Sequence, residues 1–391
     1  MKLVEMDILP GRETGAVLKE VKKFSKAMVR PAGVEMDSIA RPGEALAEGS
    51  ALWEVLKTFR KLDLHLMGIP EELGGMGGED WMTSVVVAES LGHGDPGLAL
   101  ALYACCAPFA AAALSSEPGP RKLVKTFCKD YDCTLVGCMP PAGVPRAGKP
   151  TVFAKMDRGR AVINGSVPRA ANAPIATHAL VEVEIAGRNP GAGYALVPLG
   201  DPGVTSKPAV EKSGQRPLPQ GGLAFDNVKL PKGFLLASTA AGHARMKRAL
   251  FLREQKLLAA VFSGVAMAAF EEAQKYAAAR IQGGVPIIEH DNIRLQFFHM
   301  AKDLEAARAA ARRLAQHLED KPDNGSALNA TGVRCLAMET AARVVSEAMQ
   351  IFGGYGLTKE FPLEKMFRDV RSAMVEQGDP DALALAAMAA G

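Results

Sequence analysis

The stretch Leu223-Ala-Phe-Asp-Asn-Val-Lys-Leu-Pro231 lies at the border between two kinds of sequence. On its N-terminal side, residues 139–231 hold 13 of the 25 prolines, against eight before this segment and four after it. Proline lacks a backbone N–H and clashes with the preceding helical turn, so residues 139–231 cannot be helical. The quoted stretch therefore closes a segment that must consist of strands and turns.

Short runs of β-branched and aromatic residues fill this proline-rich segment, and Gly, Pro and Asn separate them. Such a pattern is typical of an antiparallel sandwich or barrel. The predicted strands are residues 152–156, 160–164, 178–185, 193–199 and 222–228.

Apolar residues recur at helical spacing on both sides of the strands, and the later segments are long and rich in Ala. The predicted helical segments are residues 13–29, 45–66, 79–115, 241–280, 287–318, 326–352 and 360–373. This order predicts an α+β fold that is mainly α. An N-terminal helical domain (1–134) would precede a β-barrel or sandwich domain (135–238) and a C-terminal four-helix bundle (239–391).

The overall composition excludes several classes of protein. The chain has 391 residues, of which 48% are hydrophobic and 23% charged, and these are ordinary globular values. A disordered chain, a collagen-like polymer and a small disulfide scaffold are therefore excluded. Acidic and basic residues nearly cancel, 43 against 46, so the sequence gives no sign of electrostatic nucleic-acid binding.

The termini and cysteines predict a cytoplasmic protein with reduced thiols. Residues 1–7 lack the apolar core of a signal peptide. No run reaches the ~18 apolar residues of a membrane span, and the richest run, 98–114, contains Pro108 and is interpreted as a buried helix pair. The six cysteines form no Cys-x-x-Cys motif and have no His at zinc-finger spacing, so no metal site is expected.

Several short motifs follow one another in an order that resembles the acyl-CoA dehydrogenase family. Each motif is weak alone, but their spacing is nearly that of the family from about residue 20 to about residue 380. The motifs are Gly68-Ile-Pro-Glu-Glu-Leu-Gly-Gly-Met-Gly77, Val162-Ile-Asn-Gly165, Gly214-Gln-Arg216 with residues 223–231, Tyr276-Ala-Ala-Ala-Arg280, Ile288-Glu-His290, Gln350-Ile-Phe-Gly-Gly-Tyr-Gly356 and residues 360–369.

The resemblance implies a specific chemistry and assembly. FAD would bind between the middle domain and the bundle of a homotetramer or dimer, and an acyl-CoA thioester would lie against the flavin. A carboxylate would remove the α-proton while a hydride passes from the β-carbon to FAD N5, and an electron-transferring flavoprotein would accept the electrons. The α-proton is weakly acidic, so this chemistry needs a desolvated base and hydrogen bonds to the developing enolate oxygen.

The base that the resemblance implies is displaced in this chain. Counting from Gln350 puts the family's usual Glu at Gln377, which cannot take a proton at neutral pH, and Glu376 comes one residue early. Isovaleryl-CoA and long-chain type members carry their base on the first bundle helix instead, and that position corresponds to Glu254. We therefore predict Glu254 as the base and keep Glu376 as an alternative. A solvated or ion-paired Glu254, next to Arg253 or Lys256, is the competing structural interpretation.

Asp95, in Gly92-His-Gly-Asp-Pro-Gly97, is a third candidate, because some members that act on cyclic acyl groups use an Asp from this region. An Asp before Pro-Gly is also typical of a turn or a helix N-cap. Both interpretations stay open at the sequence level.

The flavin contacts of the family are partly present. Arg280 matches the arginine that meets the FAD pyrophosphate, His290 matches a neighbouring His, and Gln350, Gly353 and Gly354 match the segment that reaches the FAD of an adjoining subunit. The middle domain departs from the pattern in two places. Residues 143–150 lack the family's hydroxyl and acidic side chains. The family's Trp-Ile-Thr is replaced by Arg169-Ala-Ala171, which puts a cation in the predicted flavin site, and Asp291 adds a carboxylate near the expected pyrophosphate.

The substrate is only loosely defined by the sequence. Small residues in 98–107 favour a branched, cyclic or aromatic acyl group, and Arg253, Gln377 and Gly378 are the predicted substrate contacts. Acyl-CoA dehydrogenation is the first hypothesis. The altered flavin site supports two others, which are a catalytically degenerate partner subunit of a heteromeric dehydrogenase and a flavin-free acyl-CoA lyase or isomerase.

Overall fold

The computed structural model describes residues 12–77, 80–140, 151–187, 190–320, 326–376 and 378–390. Helices precede and follow a single large sheet, as the periodicity predicts. The helices are α1 (Arg12–Phe24), α2 (Arg30–Ser38), α3 (Ala51–Lys61), α4 (Trp81–Gly94), α5 (Pro96–Ala112), α6 (Pro118–Phe127), α7 (Ala240–Ala279), α8 (Asp291–Asp320), α9 (Ser326–Phe352), α10 (Leu363–Glu376) and α11 (Pro380–Ala390).

The middle of the chain forms an eight-stranded sheet in the order β6-β7-β3-β2-β4-β5-β8, with β1 paired to β4. Most neighbours are antiparallel, but β1 and β2 both pair with β4 in parallel. The strands are β1 (Gly137–Cys138), β2 (Val152–Asp157), β3 (Arg160–Ala171), β4 (His178–Ala186), β5 (Gly191–Pro198), β6 (Val204–Ser206), β7 (Gln220–Lys229) and β8 (Leu235–Leu236). A small hairpin of β9 (Ile281–Gln282) and β10 (Val285–Pro286) follows α7.

The fold class therefore agrees with the sequence prediction, and the element boundaries add detail. The predicted segment 79–115 is two helices, since Asp95 separates α4 from α5. Helices α2, α6 and α11 were not expected from the pattern. The change from helix to strand falls between α6 and β1, and the change back to helix between β8 and α7; the proposed domain limits stay predictions.

Helix α7 is the central helix of the bundle. It is long and apolar enough to span a bilayer, but 78% of its apolar window is buried within the protein, so it is a core helix. Its closest neighbour in the N-terminal region is α4, where Gly264 permits the approach: a Cβ at this position would lie 2.0 Å from the carbonyl oxygen of Glu89. This tight seam fixes the N-terminal helices on the bundle.

Candidate functional site

A cavity of about 200 Å³ lies between α4, α5 and α7, where the acyl chain is expected. Much of its lining is apolar and includes Leu91, Ala99 and Leu102. Its lining also includes the polar residues Asp80, Thr83, Ser84, Tyr103, Arg253 and Lys256.

The predicted substrate residue Arg253 therefore lines the cavity, together with Leu250, Lys256 and Leu257 of the same helix. Sequence reasoning treated Lys256 only as a neighbour of Glu254. The sequence did hold a signal that Lys256 lines the same cavity as Arg253. Lys256 comes three residues after Arg253, and residues i and i+3 share a helix face.

A second, more open cleft of about 810 Å³ lies where α7, the β9–β10 hairpin, α8 and the end of α9 meet. Five of the six residues predicted to bind the cofactor line it. They are Arg280, His290, Gln350, Gly353 and Gly354.

Local contacts connect the residues that line this cleft. The rings of Tyr276 and Phe352 stack with centroids 4.1 Å apart, and the imidazole Nε2 of His290 lies 3.0 Å from the carbonyl oxygen of Gln282. Asp291, which seemed unfavourable for a pyrophosphate, is not among the lining residues. Its carboxylate is exposed and pairs with Arg294 at 3.4 Å.

The sixth predicted cofactor residue, Arg169, lies elsewhere, at the end of β3. Its guanidinium is 3.9 Å from the carboxylate of Glu376, the last residue of α10. The side chain of Glu376 is only 7% exposed, and its Oε2 has no hydrogen-bond partner among the described residues. Gly378 follows with a left-handed backbone, φ = 104°. Gln377 lies outside the described residues.

Two buried amides near this point were missed by sequence reasoning. The side-chain nitrogen and oxygen of Gln215 and the side-chain oxygen of Gln220 find no hydrogen-bond partner within the described part of the chain. Gln220 pairs in the sheet with Ala171, which replaces the family's Thr. Burial also lowers the pKa of the nearby Lys212 to about 8, against the opposing charge of Glu376.

These observations test whether the residues fit FAD. The cleft has Arg280 for a phosphate and glycines that permit close backbone approach. The orphaned amides of Gln215 and Gln220 are buried polar groups that lack partners, as expected beside a polar ring. The described residues fit the cofactor at both places. The segment 143–150, with its altered side chains, lies outside the described residues.

Glu254 is buried, at 6% exposed, on the turn of α7 that carries Arg253. It does not line the cavity described above. Its negative charge acts on two groups from other elements: it opposes the lowering of the Arg334 pKa by burial, and it adds to burial in raising the pKa of Tyr194. The solvated alternative is therefore wrong, and Arg334 of α9 is a charged neighbour of this carboxylate.

Asp95 has a structural place in the molecule. One carboxylate oxygen accepts a hydrogen bond from the backbone N–H of Leu98 at 2.8 Å, so Asp95 is the N-cap of α5. The other oxygen accepts from Lys365, which also binds Asp369 at 2.6 Å. Asp95 lies outside both the cavity lining and the open cleft.

Comparison with known proteins defines the class of this chain. Residues 12–117 match the N-terminal domain of acyl-CoA dehydrogenases and residues 240–390 match their C-terminal domain. The chain belongs to the acyl-CoA dehydrogenase family, whose members are flavin-dependent oxidoreductases.

Individual relatives match over nearly the full length. The chain is 25% identical to the cyclohexane-1-carbonyl-CoA dehydrogenase of Geobacter metallireducens, over 94% of each chain. It is 27% identical to the glutaryl-CoA dehydrogenase of Desulfococcus multivorans, over 95% of each. The butyryl-CoA dehydrogenase structure from Megasphaera elsdenii has the same fold, with a TM-score of 0.85 and 23% identity over 98% of this chain and 99% of that one.

Proposed function

We propose that this protein dehydrogenates an acyl-CoA thioester between its α- and β-carbons, with FAD as cofactor. The observation that carries the proposal is the pairing of a buried cavity between α4, α5 and α7 with a separate cleft formed by Arg280, His290, Gln350 and the two glycines. When bound, FAD supplies the acceptor for the hydride of the β-carbon. The small residues of α5 at the cavity support a branched or cyclic acyl group, as does the cyclohexane-1-carbonyl-CoA dehydrogenase relative.

The residues of the chain divide the binding work. Arg280 and the backbone at Gly353 and Gly354 hold the phosphate part of the cofactor, because a guanidinium makes two-pronged contacts with phosphate. Gln220 supplies a buried amide group opposite Ala171, and Gln215 supplies another beside Asp369 of α10.

Glu254 is proposed as the base that removes the α-proton. It is a carboxylate that is nearly excluded from water, and desolvation strengthens a base by disfavouring its charged form. Its negative charge acts on Arg334 of α9 and on Tyr194 of β5. Glu376 is the competing carboxylate, because its Oε2 is buried without a hydrogen-bond partner in the described ranges.

Two glutamate-to-glutamine variants decide between these carboxylates. Glu254→Gln should lower kcat by about 10²- to 10⁴-fold, the usual contribution of a general base, while flavin absorbance stays intact. Glu376→Gln should retain most of the activity, and Glu339→Gln, an exposed residue of α9, is the control for the substitution itself. Loss of turnover in Glu376→Gln alone would move the base to α10. A colourless protein that takes up no FAD would refute the proposed reaction.

An assembly, an electron acceptor and a location are also proposed. An electron-transferring flavoprotein is the proposed acceptor, and a tetramer or dimer is the proposed assembly. A cytoplasmic location is proposed because all six cysteines, which lie in the described chain, are free. Light scattering of the purified, FAD-loaded protein tests the assembly. Reduction of an electron-transferring flavoprotein in a coupled assay tests the acceptor.

A further inference from the structure

Two adjacent cysteines of α5 lie at the acyl cavity. Cys106 is partly buried and lines the cavity, whereas Cys105 is fully buried. Leu102 and Ala107, also of α5, belong to the same lining, so the thiol of Cys106 is a nucleophilic group among apolar neighbours. Neither cysteine has a part in the proposed reaction.

A buried cation contacts the inner cysteine. Arg60 of α3 is 0% exposed, and its Nη2 donates a hydrogen bond to the sulfur of Cys105 at 3.6 Å. Its Nη1 donates to the backbone oxygen of Asp130 at 2.6 Å and to the carboxylate of the same residue at 3.1 Å. The guanidinium group of Arg60 therefore interacts with one carboxylate and one sulfur.

Asp130 has other donors for its charge. Its carboxylate also accepts hydrogen bonds from the backbone N–H groups of Thr134 and Leu135, at 3.0 and 2.7 Å, and from the Thr134 hydroxyl at 2.8 Å. A guanidinium N–H that points at a sulfur stabilises the thiolate more than the thiol, because hydrogen bonds to an ionised acceptor are the stronger ones. Arg60 therefore favours a thiolate at Cys105.

The titration of the two cysteines agrees with this contact. A hydrogen bond from Cys106 lowers the pKa of Cys105 against the effect of burial, and the charge of Arg60 lowers it further. The same hydrogen bond and burial raise the pKa of Cys106. The two thiols therefore titrate as a pair that loses one proton readily and keeps the other.

The other thiols of the molecule differ from this pair. All six cysteines lie in the described chain, and burial raises the pKa of each of the remaining four, which are Cys128, Cys133, Cys138 and Cys335. The charged side chains that line the cavity beside Cys106 are Asp80, Arg253 and Lys256. A low pKa, an accessible sulfur and an adjacent second thiol together are typical of cysteines that oxidants attack.

We propose that Cys106 is a site of reversible oxidation by hydroperoxides, with Cys105 as the base that accepts its proton. The sulfur of Cys106 attacks the peroxide, so that an S–O bond forms and the O–O bond breaks. The proton of Cys106 passes through Cys105 to the leaving oxygen, which departs as water from hydrogen peroxide. Cys106 is oxidised to a sulfenic acid, the peroxide is reduced, and an added thiol restores Cys106.

Oxidation should also change the cavity. A sulfenic acid puts a polar group among apolar lining residues, and burying such a group against an acyl chain is unfavourable. Oxidised Cys106 should therefore weaken the binding of the acyl chain. This consequence rests on the proposed function, whereas the oxidation itself does not.

The first test compares two cysteines of the same protein. The FAD-loaded protein is treated at pH 7 with hydrogen peroxide, sulfenic acids are trapped with dimedone, and fragment mass spectra separate Cys105 from Cys106. Cys106 should be labelled at least about tenfold faster than Cys335, the effect of one unit in pKa. Cys335 is the matched comparison, because it is also partly buried but its pKa is raised by burial. Labelling of Cys335 at an equal or higher rate, or of Cys105 in place of Cys106, would overturn the proposal.

A variant tests the base. Cys105→Ser replaces the thiol with a hydroxyl that does not ionise at this pH, and it should slow the labelling of Cys106 at least about tenfold. Cys138→Ser, at an equally buried position on β1, should leave the rate unchanged. An unchanged rate in Cys105→Ser would refute the role of Cys105. The comparison within the parent protein needs no variant, so it stands even where Cys105→Ser does not fold.

The effect on the cavity is measured by binding. Calorimetric titration with 2-octenoyl-CoA, a product of the proposed reaction, is carried out before and after peroxide treatment. The affinity of the parent protein should fall at least about tenfold and recover with dithiothreitol. The affinity of Cys106→Ser should not respond to peroxide. Equal affinity after complete oxidation of the parent would refute the effect on the cavity. If the untreated protein binds no thioester, the proposed function fails, while the labelling alone decides the oxidation site.

Discussion

Two buried glutamates of this molecule have opposite surroundings. Glu89 of α4 is bound by two guanidinium groups of α8: Arg312 donates to its two oxygens at 2.8 and 3.0 Å, and Arg308 at 3.2 to 3.3 Å. Glu376 of α10 has a single ionic contact, with Arg169 at 3.9 Å, among the described residues. Both side chains are nine-tenths or more buried.

The difference separates structural carboxylates from available ones. Burial acts to raise the pKa of Glu89, but the hydrogen bonds and charges of Arg312 and Arg308 outweigh it and hold the pKa below its usual range. Such a group cannot take a proton near neutral pH. The junction between sheet and bundle, by contrast, keeps polar groups without partners in the described residues, at Gln215, Gln220 and Glu376.

The largest effect on stability should follow from removing the charge of Glu89, which two arginines bind. Glu89→Gln leaves two buried arginines without their shared anion, and we expect a loss of about 3–5 kcal/mol in the free energy of unfolding. Urea denaturation followed by circular dichroism measures it. Glu305→Gln is the control, since Glu305 pairs with Arg308 but is more exposed. Equal losses in the two variants would show that the buried carboxylate of Glu89 stabilises the fold no more than the more exposed carboxylate of Glu305.

A second variant tests whether the buried ion pairs of Lys365 on α10 also stabilise the fold. Lys365→Met removes the cation that Asp95 and Asp369 share, and it should cost about 3 kcal/mol at neutral pH. Burial, partly offset by Lys365, raises the pKa of Asp369 to about 6. Without the lysine the pKa of this carboxyl group in the folded state should rise further, so the variant takes up the proton at a higher pH than the parent. The stability deficit should therefore shrink as the pH falls from neutral towards about 6.

Denaturation of the parent protein and Lys365→Met at a series of pH values measures this deficit. Lys359→Met, an exposed position before α10, is the control. A deficit that stays constant from neutral to acidic pH would contradict the assignment of the network.

The smallest effect on stability is expected at Glu376. Glu376→Gln should change the free energy of unfolding by less than about 0.5 kcal/mol, because the partner Arg169 is half exposed and the contact is long. The same urea titration measures it. A loss comparable to that of Glu89→Gln would show that Glu376 is a structural residue, and the comparison between the two sites would fail.

The resemblance to the family predicted that Arg280, His290, Gln350, Gly353 and Gly354 belong to one site, and the structure brings these five residues to one cleft. Their roles toward a cofactor stay predictions. The N-cap interpretation of Asp95 also followed from local chemistry, since Asp before Pro-Gly caps a helix.

Other residues were not predictable because their roles depend on contacts between distant segments. Lys256 binds Ser84, 172 residues away, and Arg169 meets Glu376 across the sheet and the bundle. Gln215 and Gln220 are notable only because they are buried without partners in the described structure, and burial cannot be read from the type of residue.

The sequence by itself determined the fold class and the order of helical and β segments, because proline placement and apolar periodicity act within a few residues of chain. The order of its short motifs indicated the family by resemblance. The tertiary structure alone decided which charges are neutralised and which remain available. Glu89, Asp95, Glu254 and Glu376 are chemically similar in sequence. Their different surroundings arise from the packing of helices and strands that are far apart in the chain, since a carboxylate's environment is set by the groups within a few ångströms in space.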